Sequence, residues 1–343
     1  MNTYSLVDPE LQPLLKNYVD FKLEYSALLA LREQRQAAAL GAMELNDGLK
    51  LSVTEKLISG LPGEPEVRLL IIAPPADSKL RMGILHLHGG GYIFGSPEQS
   101  LSLTRSTAAE QDCVVISVDY RLAPESPFPA ALNDSYAALI WMSEHAGELG
   151  ISRQHIGVMG DSAGAGLAAA LALYVRDRGG PALAFQNLMF PMLDDRTVLE
   201  TDPNPVTGEF VWTREANNYA WNAYLTGERL PQIHSEQAWT KTESARVKHS
   251  KNAAGGENVS IYAAPSRATE LSGLPPAWLS VGTIDLFFDE NMEYARRLAR
   301  GGVALELNVY PGAFHGFSGS SDAEIARRAR ADRQRSLSSF KPR

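Results

Sequence analysis

The sequence predicts an α/β protein with a mostly parallel sheet, and two observations carry that prediction. Short β-branched or aliphatic runs alternate with longer stretches of helical period, and several of the runs are apolar throughout. Taken in chain order, strands are expected at 67–72, 83–88, 114–120, 156–160, 185–190, 277–282 and 305–310. Runs such as VVISV and GILHL lack the alternation of a half-exposed strand, as strands covered on both faces should. Helices are expected between them at 98–112, 130–148, 163–177, 288–300 and 322–340. The 288–300 helix is the clearest: Phe288, Met292, Ala295 and Leu298 share one face, Glu293 precedes Arg297 at helical spacing, and Gly301-Gly302 stops it. In such a sheet, reacting groups belong just beyond the carboxyl ends of the strands.

Two segments stand outside the alternation. Residues 1–50 read as helical and alanine-rich after about residue 25, followed by a turn-rich link. Residues 200–260 begin with the aromatics Phe210, Trp212, Tyr219, Trp221 and Tyr224, and from Thr240 to Ser260 turn into a polar tract expected to be a mobile loop or an exposed helix. No internal repeat is visible. With 343 residues, 44% hydrophobic and 21% charged, collagen-like, disordered and disulfide-scaffold classes fit poorly. A net charge of -8 without long runs of like charge argues against nucleic acid or an anionic membrane as partner. The single cysteine, Cys113, sits in an apolar run, reads as a buried core thiol and allows no internal disulfide. Residues 1–30 lack the pattern of a signal peptide and no stretch suits a transmembrane helix, so a cytoplasmic location is expected.

The chemistry concentrates in a few glycine-rich turns. Gly160-Asp161-Ser162-Ala163-Gly164 follows the strand HIGVM and opens the small-residue helix AGLAAALALYV. A serine forced into a sharp strand-to-helix turn leaves no room for side chains two residues before and after it, and its hydroxyl then stands above the sheet. Alone the pattern is weak, and a plain glycine turn explains it. His88-Gly89-Gly90-Gly91-Tyr92, directly after GILHL, is more specific. Its glycines let backbone N–H groups close on an oxyanion, together with that of Ala163. Gly90 and Gly91 are preferred as donors over Gly89, and His88 reads as a structural hydrogen-bonder of the loop.

A serine hydroxyl needs a base, and the strand–turn–helix arrangement places acid and base later in the chain. His234, His249 and His315 are the candidates; only His315, in YPGAFHGF, also follows a plausible acid at a strand end, while the other two fall in the polar tract. Asp285, just off AWLSVG, is preferred as acid over Asp289 and Glu290, which have an adequate role as negative charge in a first helical turn. Asp161 and the pair Asp194-Asp195 read as loop braces. Arg327 to Arg335 reads as a solvated helix face rather than a surface for an acidic partner.

HGGG at 88–91, DYRLAPE at 119–125, GDSAG at 160–164, GLPPAWLSVGTIDLFFDE at 273–290 and YPGAFHGF at 310–317 closely resemble the hormone-sensitive-lipase-like carboxylesterases of the α/β-hydrolase superfamily. The resemblance spans most of residues 60–320. It implies an eight-stranded, mostly parallel sheet flanked by helices and a helical cap, with the cap drawn from residues 1–50 and about 195–245, a catalytic domain over 51–343, and a polar insertion at about 240–260. It further implies Ser162 as nucleophile, Asp285 as acid, His315 as base, and an oxyanion hole from Gly89, Gly90, Gly91 and Ala163. No metal and no cofactor are implied; the partner is a small-molecule ester, and family members are often homodimers. The family often carries a second glycine after GDSAG and a DPLRDE acid loop, where this chain has Ala165 and DLFFDE; both aspartates of that loop remain. Arg121 and Glu125 read as braces of the sheet edge. The expected activity is hydrolysis of short- to medium-chain acyl esters through an acyl-enzyme. An amide or carbamate hydrolase on the same triad, and a non-catalytic ligand-binding relative, are the rival readings.

Overall fold

The computed structural model describes residues 3–16, 25–42, 48–199, 203–229, 251–319 and 322–342. Eight strands form one sheet: β1 (Ser52–Ile58), β2 (Val67–Ala73), β3 (Arg81–Leu87), β4 (Val114–Asp119), β5 (Ile151–Asp161), β6 (Gln186–Met189), β7 (Ala277–Gly282) and β8 (Leu305–Tyr310). Their spatial order is β1-β2-β4-β3-β5-β6-β7-β8. Only β2 runs against its neighbours; β4, β3, β5, β6, β7 and β8 are parallel, so their carboxyl ends open on one rim. β1 is the strand the sequence does not announce. It is an edge strand with most of SVTEKLI exposed, so no apolar run marks it.

The two-residue period of the buried strands sorts their side chains between two cores. Leu85, Ile116 and Val158 enter one, with the helices α4 (Ala130–Glu144) and α5 (Ala163–Arg178). Their chain neighbours Ile84, Val115 and Met159 enter the other, beneath α3 (Leu101–Gln111) and the end of α8 (Glu324–Ser338). α7 (Phe288–Arg300) returns to the first face through Tyr294, Ala295 and Leu298. α5 is buried on all sides from Ala163 to Val175, which its run of alanines, leucines and glycines permits.

The remaining helices, α1 (Gln12–Leu15), α2 (Tyr25–Ala42) and α6 (Arg214–Thr226), lie outside the strand–helix alternation. α2 is tied to the loops above the sheet by Arg32, which donates to the carbonyls of Ile93 and Ala123 and pairs with Glu125 at 2.9 Å. Glu125 therefore anchors the N-terminal helix, whereas Arg121 braces β4 against Asp134. Residues 240–250 of the expected polar loop, with His234 and His249, lie outside the described residues. Its last part, 251–260, is loop of mixed exposure: Lys251, Asn252, Glu257 and Asn258 are exposed, whereas Ala253 and Ala254 are buried and the N–H groups of Ala254 and Gly255 donate to Asn222 and Asp195. Among the described residues no helix is long and apolar enough to cross a membrane.

Candidate active site

The parallel rim collects the residues that the sequence singles out. β5 ends at Asp161, and Ser162 turns the chain into α5 with φ 55° and ψ −122°, a conformation strained for any residue but glycine. The flanking glycines are enforced by contact. A Cβ on Gly164 would lie 2.1 Å from the Leu87 carbonyl oxygen, and one on Gly160 would lie 2.4 Å from the Gly164 backbone. The Ser162 N–H is tied to the Met189 carbonyl at 2.9 Å, and its own carbonyl accepts from Gly166 and Met192. The turn is thus held by backbone hydrogen bonds on both sides.

From the ends of β7 and β8 come Asp285 and His315. His315 Nε2 lies 2.8 Å from Ser162 Oγ, and His315 Nδ1 lies 2.9 Å from Asp285 Oδ2. The Phe287 N–H donates to the other carboxylate oxygen of Asp285 at 2.9 Å, so both oxygens are occupied and the carboxylate plane is set. Asp285 is fully buried, and the rings of Phe190 and Phe287 stand edge-on to the imidazole at 4.8 and 5.0 Å. This dry surrounding strengthens the directional bonds within it. The other acids of the loop do different work. Asp289 accepts from Asn204 at the surface. Glu290 accepts from the N–H groups of Leu193 and Asp194, and burial, reinforced by the nearby Asp194 carboxylate, holds its carboxyl well above the usual range. Asp195 is buried against Arg267 at 2.6 Å, a loop brace.

The loop after β3 carries Gly89, Gly90 and Gly91. Gly90 and Gly91 take φ of 124° and 62°, and a Cβ on Gly91 would meet the Trp212 ring at 2.2 Å. Gly89 is pressed on the elbow from the other side, where a Cβ would lie 3.0 Å from the Asp161 carbonyl oxygen. Ala163 is the first residue of α5, so its N–H falls outside the helix's own ladder and points to the helix N-terminal side. His88 braces this loop: Nδ1 bonds the Gly89 carbonyl at 2.9 Å, its ring stacks on Tyr120 at 4.1 Å, and the Tyr120 hydroxyl donates to the His88 carbonyl. Burial keeps its imidazole below the ordinary histidine range.

One residue of the site escapes sequence reasoning. Arg333 of α8 is 3% exposed, pairs with the Asp161 carboxylate and reaches the Gly160 carbonyl at 3.3 Å. The arginine-rich helix is therefore not wholly a solvated face. Its apolar neighbours Ile325, Ala326, Ala329 and Leu337 fall on the same buried stripe, a periodicity that could have marked Arg333. Among the described residues no group of three or more His, Cys, Asp or Glu side chains is arranged to hold a metal ion.

Comparison with known proteins places this geometry in a family. A family model for the alpha/beta hydrolase fold matches residues 84–319. The chain belongs to that family. The hormone-sensitive-lipase-like branch inferred from the motifs agrees with its relatives. The carboxylesterase NlhH of Mycobacterium tuberculosis is 31% identical over 92% of this chain and 92% of its own. The solved structure of a bacterial heroin esterase superposes with a TM-score of 0.84 at 36% identity, covering 99% of both chains. That of esterase LipW from Mycobacterium marinum gives 0.78 at 30% identity, covering 99% of this chain and 97% of the other.

Proposed function

We propose that this chain is a carboxylic ester hydrolase in which Ser162 is the nucleophile, His315 the general base and acid, and Asp285 the group that orients the imidazole. One observation carries this reading: the unbroken line from Ser162 Oγ through both ring nitrogens of His315 to a buried carboxylate, with Ser162 on a strained elbow. Ser162 Oγ attacks the ester carbonyl while His315 Nε2 takes its proton. The oxyanion that forms is held by N–H groups of Ala163 and of the loop Gly89-Gly90-Gly91, where each lost donor costs about 3 kcal/mol of barrier. The proton then passes from His315 to the departing alkoxide, which leaves as the alcohol. Water, deprotonated by His315, attacks the acyl-enzyme and releases the acid, and Ser162 recovers its proton.

In the same reading residues 1–50 and about 195–245 form the cap over a catalytic body spanning 51–343. Trp212 is its working edge: the ring fills the space above Gly91 and lies 6.3 Å from the His315 ring. The substrate is a small ester with a short to medium acyl part. Hydrolysis of p-nitrophenyl esters from acetate to palmitate, measured on the wild type and on Ser162→Ala, tests this. Turnover at the short end that the variant loses is expected. Equal turnover by the variant, or a matched anilide cleaved faster than its ester, would overturn the assignment.

A further inference from the structure

The cleft that contains Ser162 and His315 has a volume of about 940 Å³, far more than a short acyl ester occupies, and its two ends differ in chemistry. Beside the triad it is apolar, lined by Met189, Phe190, Val211 and Trp212. Away from the triad it runs between α3 and α8, whose facing residues recur at helical spacing. α3 presents Ser102, Ser106 and Glu110; α8 presents Arg327, Arg330 and Gln334. Past Glu110 the two helices are bridged, the Gln111 amide donating to Gln334 and Gln334 to Thr107. Four arginines line the cleft (Arg35, Arg327, Arg330 and Arg333) against the carboxylates Glu110, Asp161 and Asp322. Of these carboxylates, Asp161 already pairs with Arg333.

Two arginines of α8 are bound to the active-site loops themselves, while Arg327 donates to the Asp322 carbonyl just before the helix. Arg330 Nη1 donates to the carbonyl of Ser318, in the loop that carries His315, at 2.7 Å. Arg333 is held by Gly160 and Asp161, next to Ser162. Guanidinium groups only donate, in a fork that matches a carboxylate. A hydrocarbon chain laid along this wall offers these positive groups no acceptor, whereas an anionic oxygen pair complements their charge and adds acceptors.

We propose that the cleft selects esters that carry a second, ionised carboxyl group, with Arg330 as its principal partner and Arg327 at the rim. The proposal rests on the esterase reading above and narrows its substrate class. Two matched pairs test it and distinguish the side of the ester that bears the charge. Mono-p-nitrophenyl succinate against p-nitrophenyl butyrate places the carboxylate on the acyl part; 4-acetoxybenzoate against p-tolyl acetate places it on the alcohol part. The ratio of anionic to neutral kcat/KM is measured for the wild type, Arg330→Gln and Arg327→Gln at low and high salt. The expected result is that in one pair the ratio falls at least tenfold in Arg330→Gln, through KM, falls less in Arg327→Gln, and drops with salt in the wild type. Ratios unchanged by both substitutions in both pairs would overturn the proposal while leaving neutral-ester turnover, and so the esterase reading, standing. Should Arg330→Gln fail to fold, an Arg327→Gln ratio equal to wild type in both pairs overturns it alone. Absence of turnover on every ester, neutral ones included, would instead overturn the reading beneath it.

Discussion

Ser162, His315 and Asp285 stand on loops at the ends of β5, β8 and β7 and are fixed by hydrogen bonds, from the Met189 carbonyl behind the elbow to the Phe287 N–H beneath the carboxylate. The aromatic wall around α6, which reaches the cleft through Trp212, is fixed by shape. Tyr92 stacks on Tyr224 with centroids 3.9 Å apart, Trp221 leans on both, and Trp212 is steadied by one bond from its indole N–H to Asn217. Directional bonds hold atoms to tenths of an ångström, which proton transfer needs; aromatic packing tolerates shifts, which a substrate pocket can absorb. The two walls should therefore respond to substitution on different scales.

The largest effect belongs to the hydrogen-bonded wall. Asp285→Asn keeps the volume but replaces the carboxylate that faces His315 Nδ1, and on the proposed mechanism kcat for p-nitrophenyl acetate should fall about 10⁴-fold with the fold unchanged by circular dichroism. Where the walls meet, Gly91→Ala drives a methyl into the Trp212 ring and strains a left-handed residue. A loss of about 10²-fold is expected, and adding Trp212→Ala should recover roughly tenfold, read from a double-mutant cycle. Equal losses in the single and double variants would mean that backbone strain alone, and not the Trp212 contact, sets the loop. Trp212→Ala by itself should cost less than about tenfold and appear in KM. The smallest effect at neutral pH lies under the sheet wall. Burial pushes His86 down to about 3, so the folded protein keeps it neutral while the unfolded chain gains a proton below about 6.5. Stability should fall as pH drops from about 6.5 toward 3, by roughly 1.4 kcal/mol per pH unit at the steepest, and denaturant titrations of His86→Gln should show a shallower slope.

The same contrast governs what the sequence discloses. Gly160 and Gly164 are legible because backbone contact allows nothing larger, and HGGG because its turn needs positive φ. Asp285 and His315 follow from chain order and strand ends. The buried strands are legible as apolar runs, whereas β1 is hidden because its exposed side chains obey no burial pattern. α6 is blurred rather than hidden: Ala216, Tyr219, Ala220, Ala223 and Tyr224 recur at helical spacing, but burial also takes in Asn217 and Asn222, so the polar face is narrow. Its ends did carry a signal, the cap Thr213, which accepts from the Ala216 N–H, and the left-handed Gly227. Arg333 illustrates the limit of local pattern, since its partner Asp161 lies 172 residues away and only the folded sheet brings them together.

The central claim is that Ser162 is the nucleophile, and covalent trapping tests it most directly. A p-nitrophenyl alkylphosphonate should lose p-nitrophenol to form one phosphorus–oxygen bond per chain, found at Ser162 by peptide mass mapping, with esterase activity disappearing in proportion. A protein that binds no label, or that stays active while labelled elsewhere, would contradict the account.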